Sequence, residues 1–197
     1  MNTPTGLRER KKLATHEALR QAAVTLYRRN GPDKVTVDDI CAAAGVSART
    51  FFNYFATKDE AVFALEADPA DVRQRIIDRP AEEEPLDAIR GVFADVLTRL
   101  VASETWRQRT LLLRERPDLA PRSGPVGRAH EHAIAAAIAA RTGRPAEDLY
   151  VRTVSAAAHA TLRAAVACWH PDDNPDIVAI LNEAIDMLQN GLRVRPA

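Results

Sequence analysis

With 197 residues, 46% of them apolar, the chain carries enough hydrophobic material for one or two packed domains, which excludes an unfolded polar polymer. No apolar run approaches the roughly 20 residues of a bilayer crossing, no secretory-leader order opens the sequence, and two distant cysteines, Cys41 and Cys168, suit neither a disulfide framework nor a zinc cage; no membrane partner is expected, and the expected location is the cytoplasm. Formal charge cancels to zero, yet residues 1–58 hold 10 Lys/Arg against 5 Asp/Glu and residues 59–197 hold 17 against 22, the asymmetry of a chain whose N-terminal part meets a polyanion.

β-Branched alternation never lasts beyond a few residues, whereas Ala, Leu, Arg and Glu recur at helical spacing, so the fold class is all-α. The first helix is expected over 7–29, with Leu19, Ala22, Ala23 and Leu26 on one face and Asn30-Gly31-Pro32 stopping it. A short second helix follows Thr36, whose hydroxyl caps it while Asp39 reaches back; Val37, Ile40, Cys41 and Ala44 form its buried stripe and Gly45 ends it. Ser47 caps a third short helix running to about Tyr54, and Thr57 with Glu60 opens a fourth. Further helices are expected over 69–79, 86–103 and 105–115. After a loop at 122–125 come an alanine-rich helix to residue 140, a long one over 146–169, and a last one over 175–190. No internal repeat is found.

The two short helices joined by Ala44-Gly45-Val46 match a helix-turn-helix plan, in which glycine permits the turn and the second helix offers its first turn to the major groove. Phe51 and Phe55, at i and i+4, suit the core with Val46. Arg49, Phe52 and Asn53 then share an outward face beside Thr50 and Tyr54, a mixture of cation, ring, amide and hydroxyl suited to base edges and phosphates. A second reading stays open, in which Phe52 packs on the first helix and Arg49 is merely solvated.

The stretch T-V-D-D-I-C-A-A-A-G-V-S-A-R-T-F-F-N-Y-F-A-T-K-D-E over 36–60, with the Asn-Gly end of the first helix, resembles the tetracycline-repressor (TetR) family signature. The resemblance covers roughly residues 7–65. It implies an N-terminal helix-turn-helix DNA-binding domain over 1–58 and an effector-binding and dimerisation domain over 59–197. It places Ala48, Arg49, Thr50 and Asn53 near bases, and Thr36, Phe52, Tyr54 and Lys58 at or beside phosphates, and counts Val37 and Ser47, at the helix starts, among the DNA-binding residues. Chemistry agrees at several positions: Arg49 can fork onto a guanine, and Tyr54 can donate to a phosphate. Phe52 lacks a hydroxyl, so contact with a thymine methyl or a sugar suits it better than a phosphate hydrogen bond. The basic run Leu7-Arg-Glu-Arg-Lys-Lys12 suits phosphate or the minor groove, or a solvated helix end.

Beyond residue 65 the resemblance is one of architecture. It implies that the last two helices pair with those of a second subunit. The interface expected from it holds Ala158, Leu162, Ala165 and Trp169 on one helix and Ile177, Ile180, Leu181, Ala184 and Leu188 on the other; the alternative is that both stripes close the subunit's own core. An effector cavity is expected among Phe93, Leu97, Trp106, Arg109, Leu113, Ile134 and His159, each of which also reads as ordinary core, with Arg109 and Arg114 favouring an anion such as an acyl thioester. The T-F-F-N-Y-F run and the L-L-L-R-E-R-P-D-L stretch over 111–119 are similar to actinobacterial regulators of the mycofactocin-regulator type.

Catalysis finds no support. His130 and His132 lie two apart and diverge by about 200° on a helix, so they cannot chelate one metal, and no nucleophile elbow, phosphate loop or H-E-x-x-H run occurs. No catalytic residue, metal or cofactor is assigned, and the chain is not expected to be an enzyme. The expected function is a homodimeric DNA-binding transcriptional regulator, a repressor released from a palindromic operator by a small-molecule effector. The alternative is a helical small-molecule-binding protein or enzyme scaffold without specific DNA binding.

Overall fold

The computed structural model describes residues 6–64, 67–170 and 176–192. Among them the regular elements are all helical: α1 Leu7–Asn30, α2 Val37–Ala44, α3 Ala48–Phe52, α4 Lys58–Phe63, α5 Pro69–Ile77, α6 Pro85–Leu100, α7 Glu104–Glu115, α8 Gly124–Thr142, α9 Leu149–Cys168 and α10 Ile177–Gln189, with 3₁₀ segments at Pro32–Lys34 and Pro117–Ser123.

Two compact units result, and their boundary differs from the sequence expectation. The first holds the described residues up to Ala64 and also Thr105–Ser123; the second holds the described residues of 65–104 and those after Ser123. The division expected after residue 58 therefore falls after Ala64, because α4 is apolar on its buried face and packs on α1. The first unit is also discontinuous in sequence. Leu112 and Leu119 enter the same core as Leu19, Val24, Tyr27, Ile40, Phe51, Phe55 and Phe63, and each such fully buried apolar side chain contributes roughly 1.5–3 kcal/mol.

In the second unit contacts run from α5 to α8, α8 to α9, α9 to α10, α10 to α6 and α6 back to α5, closing a ring of helices. Val72 and Ile76 of α5, Ile89, Phe93 and Leu97 of α6, Ile134 and Ile138 of α8, Leu162 of α9 and Leu181 of α10 are buried. Arg141 of α8 donates to the Ile76 carbonyl in the last turn of α5 at 3.2 Å and to those of Arg79, Pro80 and Glu83 beyond it at 2.7–2.8 Å, a cation where the helix dipole favours one.

Local boundaries shift modestly. The loop expected at 122–125 is helical, since α8 starts at Gly124 and Pro125 occupies a first-turn position whose N–H needs no helical partner. Pro175, expected to open the last helix, lies outside the described residues, and α10 starts at Ile177 behind the Asp176 side chain, which accepts from the Ala179 N–H at 2.9 Å.

Candidate nucleic-acid interface

The helix pair α2–α3 is built by local hydrogen bonds. The Thr36 hydroxyl accepts from the Asp39 N–H at 3.1 Å, and Asp39 accepts from the Thr36 N–H at 2.8 Å, a complete capping box. The Thr36 hydroxyl also donates to the Asp39 carboxylate at 2.7 Å, and this bond first, then the one from the Thr36 N–H, holds the Asp39 carboxyl below its ordinary range. Gly45 ends α2 at φ 67°, ψ 34°, the left-handed region where a side chain is strained. Ser47 then accepts from the Thr50 N–H at 3.2 Å, starting α3 at once.

The helix expected to run to about Tyr54 ends at Phe52, but α3 and the turn after it still divide into a buried and an exposed side as the spacing predicts. Phe51 and Phe55 are buried, with Val46 and Ala48 packed partly against the same core. Arg49, Phe52 and Asn53 are exposed, and Thr50 and Tyr54 are half-buried at the edges. Phe52 is 59% exposed, so the reading in which it packs on α1 does not hold; its ring stands edge-on to Phe51, 5.4 Å between centroids and 86° between planes. A phenyl ring held upright on a buried neighbour, flanked by a guanidinium and an amide, is an apolar contact surface set among hydrogen-bonding groups. Tyr54 rests near His16 of α1, 6.0 Å between ring centroids. Of the basic N-terminal run, Arg10, Lys11 and Lys12 are exposed.

Lys58 serves the fold as well as any phosphate. Its Nζ donates to the carbonyls of Pro32 and Val35 at 2.9 and 2.7 Å, fastening α4 to the segment that leads into α2. The other end of α4 is held by two buried arginines that the sequence reading left without this role: Arg20 of α1 donates to the Ala64 carbonyl at 2.9 Å and Arg109 of α7 to the Phe63 carbonyl at 3.3 Å. Both neutralise a helix C-terminus. The available signal for Arg20 was a cation directly beside Leu19 on the apolar stripe.

The candidate effector residues are divided between the two units. Trp106, Arg109 and Leu113 belong to the first unit, where Trp106 and Arg109 are buried and Leu113 packs on the core shared with α1. Phe93, Leu97, Ile134 and His159 belong to the second and are all buried there. Arg114 is exposed. Arg109 directs one N–H at a backbone carbonyl. His159 lies 3.8 Å from Glu131, and burial pulls its imidazole below the ordinary 6.5 despite that carboxylate.

The expected interface residues differ in exposure within the single chain. Ala158, Leu162, Ala165 and Trp169, with Ile177 and Leu181, are buried inside the chain itself, while Ile180, Ala184 and Leu188 are partly exposed. The exposed face of α9 carries Thr153, Ala156, Ala160, Ala164 and Ala167, spaced three and four apart, and α10 exposes Met187.

Comparison with known proteins agrees with this geometry. Residues 19–65 match the model for bacterial regulatory proteins of the tetR family, and residues 83–193 match the model for the MftR C-terminal domain. The HTH-type transcriptional regulator TcmR of Streptomyces glaucescens is 38% identical over 102 residues, 50% of this chain and 45% of TcmR, so the match spans less than half of that relative. The putative mycofactocin biosynthesis transcriptional regulator MftR of Mycobacterium tuberculosis is 27% identical over 186 residues, 93% of each chain. Among solved structures, Thermus thermophilus FadR in complex with lauroyl-CoA aligns with a TM-score of 0.53 at 21% identity, covering 92% of this chain and 97% of that one. NalD, the secondary repressor of the MexAB-OprM efflux pump in Pseudomonas aeruginosa, aligns at 0.57 and 18%, covering 92% and 97%. Both share the fold.

Proposed function

The chain belongs to the tetR family of bacterial regulatory proteins and is a DNA-binding transcriptional regulator, and from that premise we propose a dimeric repressor whose α3 enters the major groove of each half of a palindromic operator and is released by a small-molecule effector. The observation that carries the DNA-reading assignment is that Arg49 and Phe52 of α3 and Asn53 at its C-cap are exposed, while Phe51 and, just past the helix end, Phe55 are buried. Folding does not use that outward face. Arg49 is assigned to a guanine edge, Asn53 to a neighbouring base, and Tyr54 with Thr36 to the phosphates beside them. Exposed Arg10, Lys11 and Lys12 add sequence-independent attraction.

Two reading helices must lie about one DNA turn apart to meet both half-sites, which calls for a second copy of the chain. The exposed small-residue face of α9, with Ile180, Ala184 and Met187 of α10, is the surface assigned to that copy. The effector is assigned to the second unit, where Phe93, Leu97, Ile134 and His159 are the candidate contacts, and it acts by binding the state in which the paired reading helices no longer fit the operator. The cytoplasm, where DNA and effector meet, is the assigned location; no helix of the described residues is long and apolar enough to cross a membrane.

The test is selection of random duplexes on the full chain at a stated salt concentration. Enrichment of a twofold site supports the reading. Salt-sensitive binding without an enriched motif sinks the sequence-specific assignment and favours a small-molecule-binding protein.

A further inference from the structure

Resting on the DNA-reading assignment above, the geometry points to Arg122, which lies 70 residues beyond the end of α3, as a positioning residue for operator recognition. Its guanidinium donates to Asp33 at 2.8 Å and lies 3.7 Å from Asp59. These two carboxylates belong to different parts of the reading apparatus. Asp33 is in the 3₁₀ segment immediately before α2, the same segment whose Pro32 carbonyl, with that of Val35 just after it, receives Lys58. Asp59 stands in the first turn of α4 and accepts the Tyr27 hydroxyl of α1 at 2.6 Å. One cation thus joins the start of the helix pair to α4 and, through Asp59, to α1.

The segment that carries Arg122 is itself anchored. Leu119 is buried in the first unit's core, Arg116 grips Asp118 through two bonds of 2.9 and 2.8 Å, and Arg28 of α1 bonds Glu115 at 2.8 Å. Arg122 therefore presents its charge from a fixed base. Without it, Asp33 is left to solvent and to Arg116 and Asp59 to the Tyr27 hydroxyl, and the segment entering α2 loses its tie from that side. Partly exposed ion pairs contribute little to global stability. The expected effect of losing this one is on the pose of α2 and α3, hence on discrimination between operator and random DNA.

The experiment compares wild type, Arg122→Gln, Asp33→Asn, the double variant and Arg122→Lys, all full length. Affinities for the selected operator and for a random duplex of equal length are measured at one salt concentration, alongside the thermal midpoint. Arg122→Gln is expected to lower the operator-to-random ratio about 3- to 10-fold, within the usual range of coupling between sites, with little change in midpoint. Asp33→Asn removes a negative charge, so bulk electrostatics alone would tighten both complexes equally and leave the ratio unchanged; positioning requires the ratio to fall. The double variant should fall no further than Arg122→Gln, and Arg122→Lys should recover part of the ratio. An unchanged ratio in Arg122→Gln and Asp33→Asn, or a lower midpoint at unchanged ratio, overturns the positioning role while leaving DNA reading intact. Absence of any operator preference in the wild type overturns the DNA-reading assignment itself.

Discussion

The Tyr27 hydroxyl donates to Asp59 Oδ1 across 2.6 Å, tying the last turn of α1 to the first turn of α4. Burial first, and then the bonded carboxylate, push the phenol's ionisation far above its ordinary range, so the proton stays on the tyrosine and the bond keeps its direction. Tyr27→Phe preserves the ring's packing against Phe63 and removes only the donor. A loss of about 1–2 kcal/mol in urea unfolding at unchanged slope is expected; no loss would mean that solvent or Arg122 replaces the bond fully.

Lys58 holds two backbone carbonyls, so Lys58→Met is expected to lower the thermal midpoint, at a cost of roughly 1–3 kcal/mol for acceptors left without their donor. A residue serving phosphate alone would instead leave the midpoint unmoved and reduce the salt slope of DNA binding by about one. Measuring midpoint and slope on the same protein separates the two roles.

Phe52 offers a ring with no hydroxyl, and its chemical complement in the major groove is the thymine methyl. Replacing thymine by deoxyuridine position by position across the selected operator should weaken wild-type binding at one site per half by about 0.8 kcal/mol, the worth of one buried methyl-sized group. Phe52→Ala should be indifferent to the same replacement. Equal sensitivity of both proteins would assign the methyl contact elsewhere.

His159 is held neutral in the folded chain because burial outweighs Glu131, with Arg163 and His130 acting in the same direction as burial. Its folded pKa lies below the unfolded value, so its contribution is fully present above pH 6.5 and is lost as pH falls below that value, where the unfolded chain takes up the proton first. Stability followed from pH 7.5 to 5 should decline more steeply in wild type than in His159→Gln. Parallel profiles would exclude His159 as the source.

Ala160 is exposed on α9 whereas Ala158 is buried in the chain's own core. Ala160→Glu should leave each chain folded by circular dichroism but shift the mass in solution from dimer to monomer, because a charge is then desolvated against the second copy. Ala158→Glu should unfold the chain. A dimer that tolerates Ala160→Glu places the interface on another face.

The helix-turn-helix was legible because its determinants are local. Thr36 with Asp39, Gly45 and Ser47 each act on backbone within three residues, and the observed bonds link the pairs that the spacing names. Which face of α9 is buried within the chain was not legible, since alanine stands at 156, 157, 158, 160, 164, 165 and 167 and so offers no apolar contrast by which periodicity can choose a face. That Trp106 and Leu113 belong to the first unit was not legible for a related reason: both read as core, and only tertiary packing says whose core. The structural bonds of Arg20, Arg109 and Arg122 were not legible because each meets a partner at least 40 residues away in sequence.

Leu112 and Leu119 complete a core whose other members end at Phe63, and this orders events on the ribosome. When Ala64 has been made, every residue of the helix-turn-helix exists, but the apolar face that receives these two leucines is still open. Closing it awaits the synthesis of α7 and the segment through Ser123, roughly 3–12 seconds later at ordinary elongation rates. The part of the protein that is encoded first is thus completed only after more than half of the chain has been made.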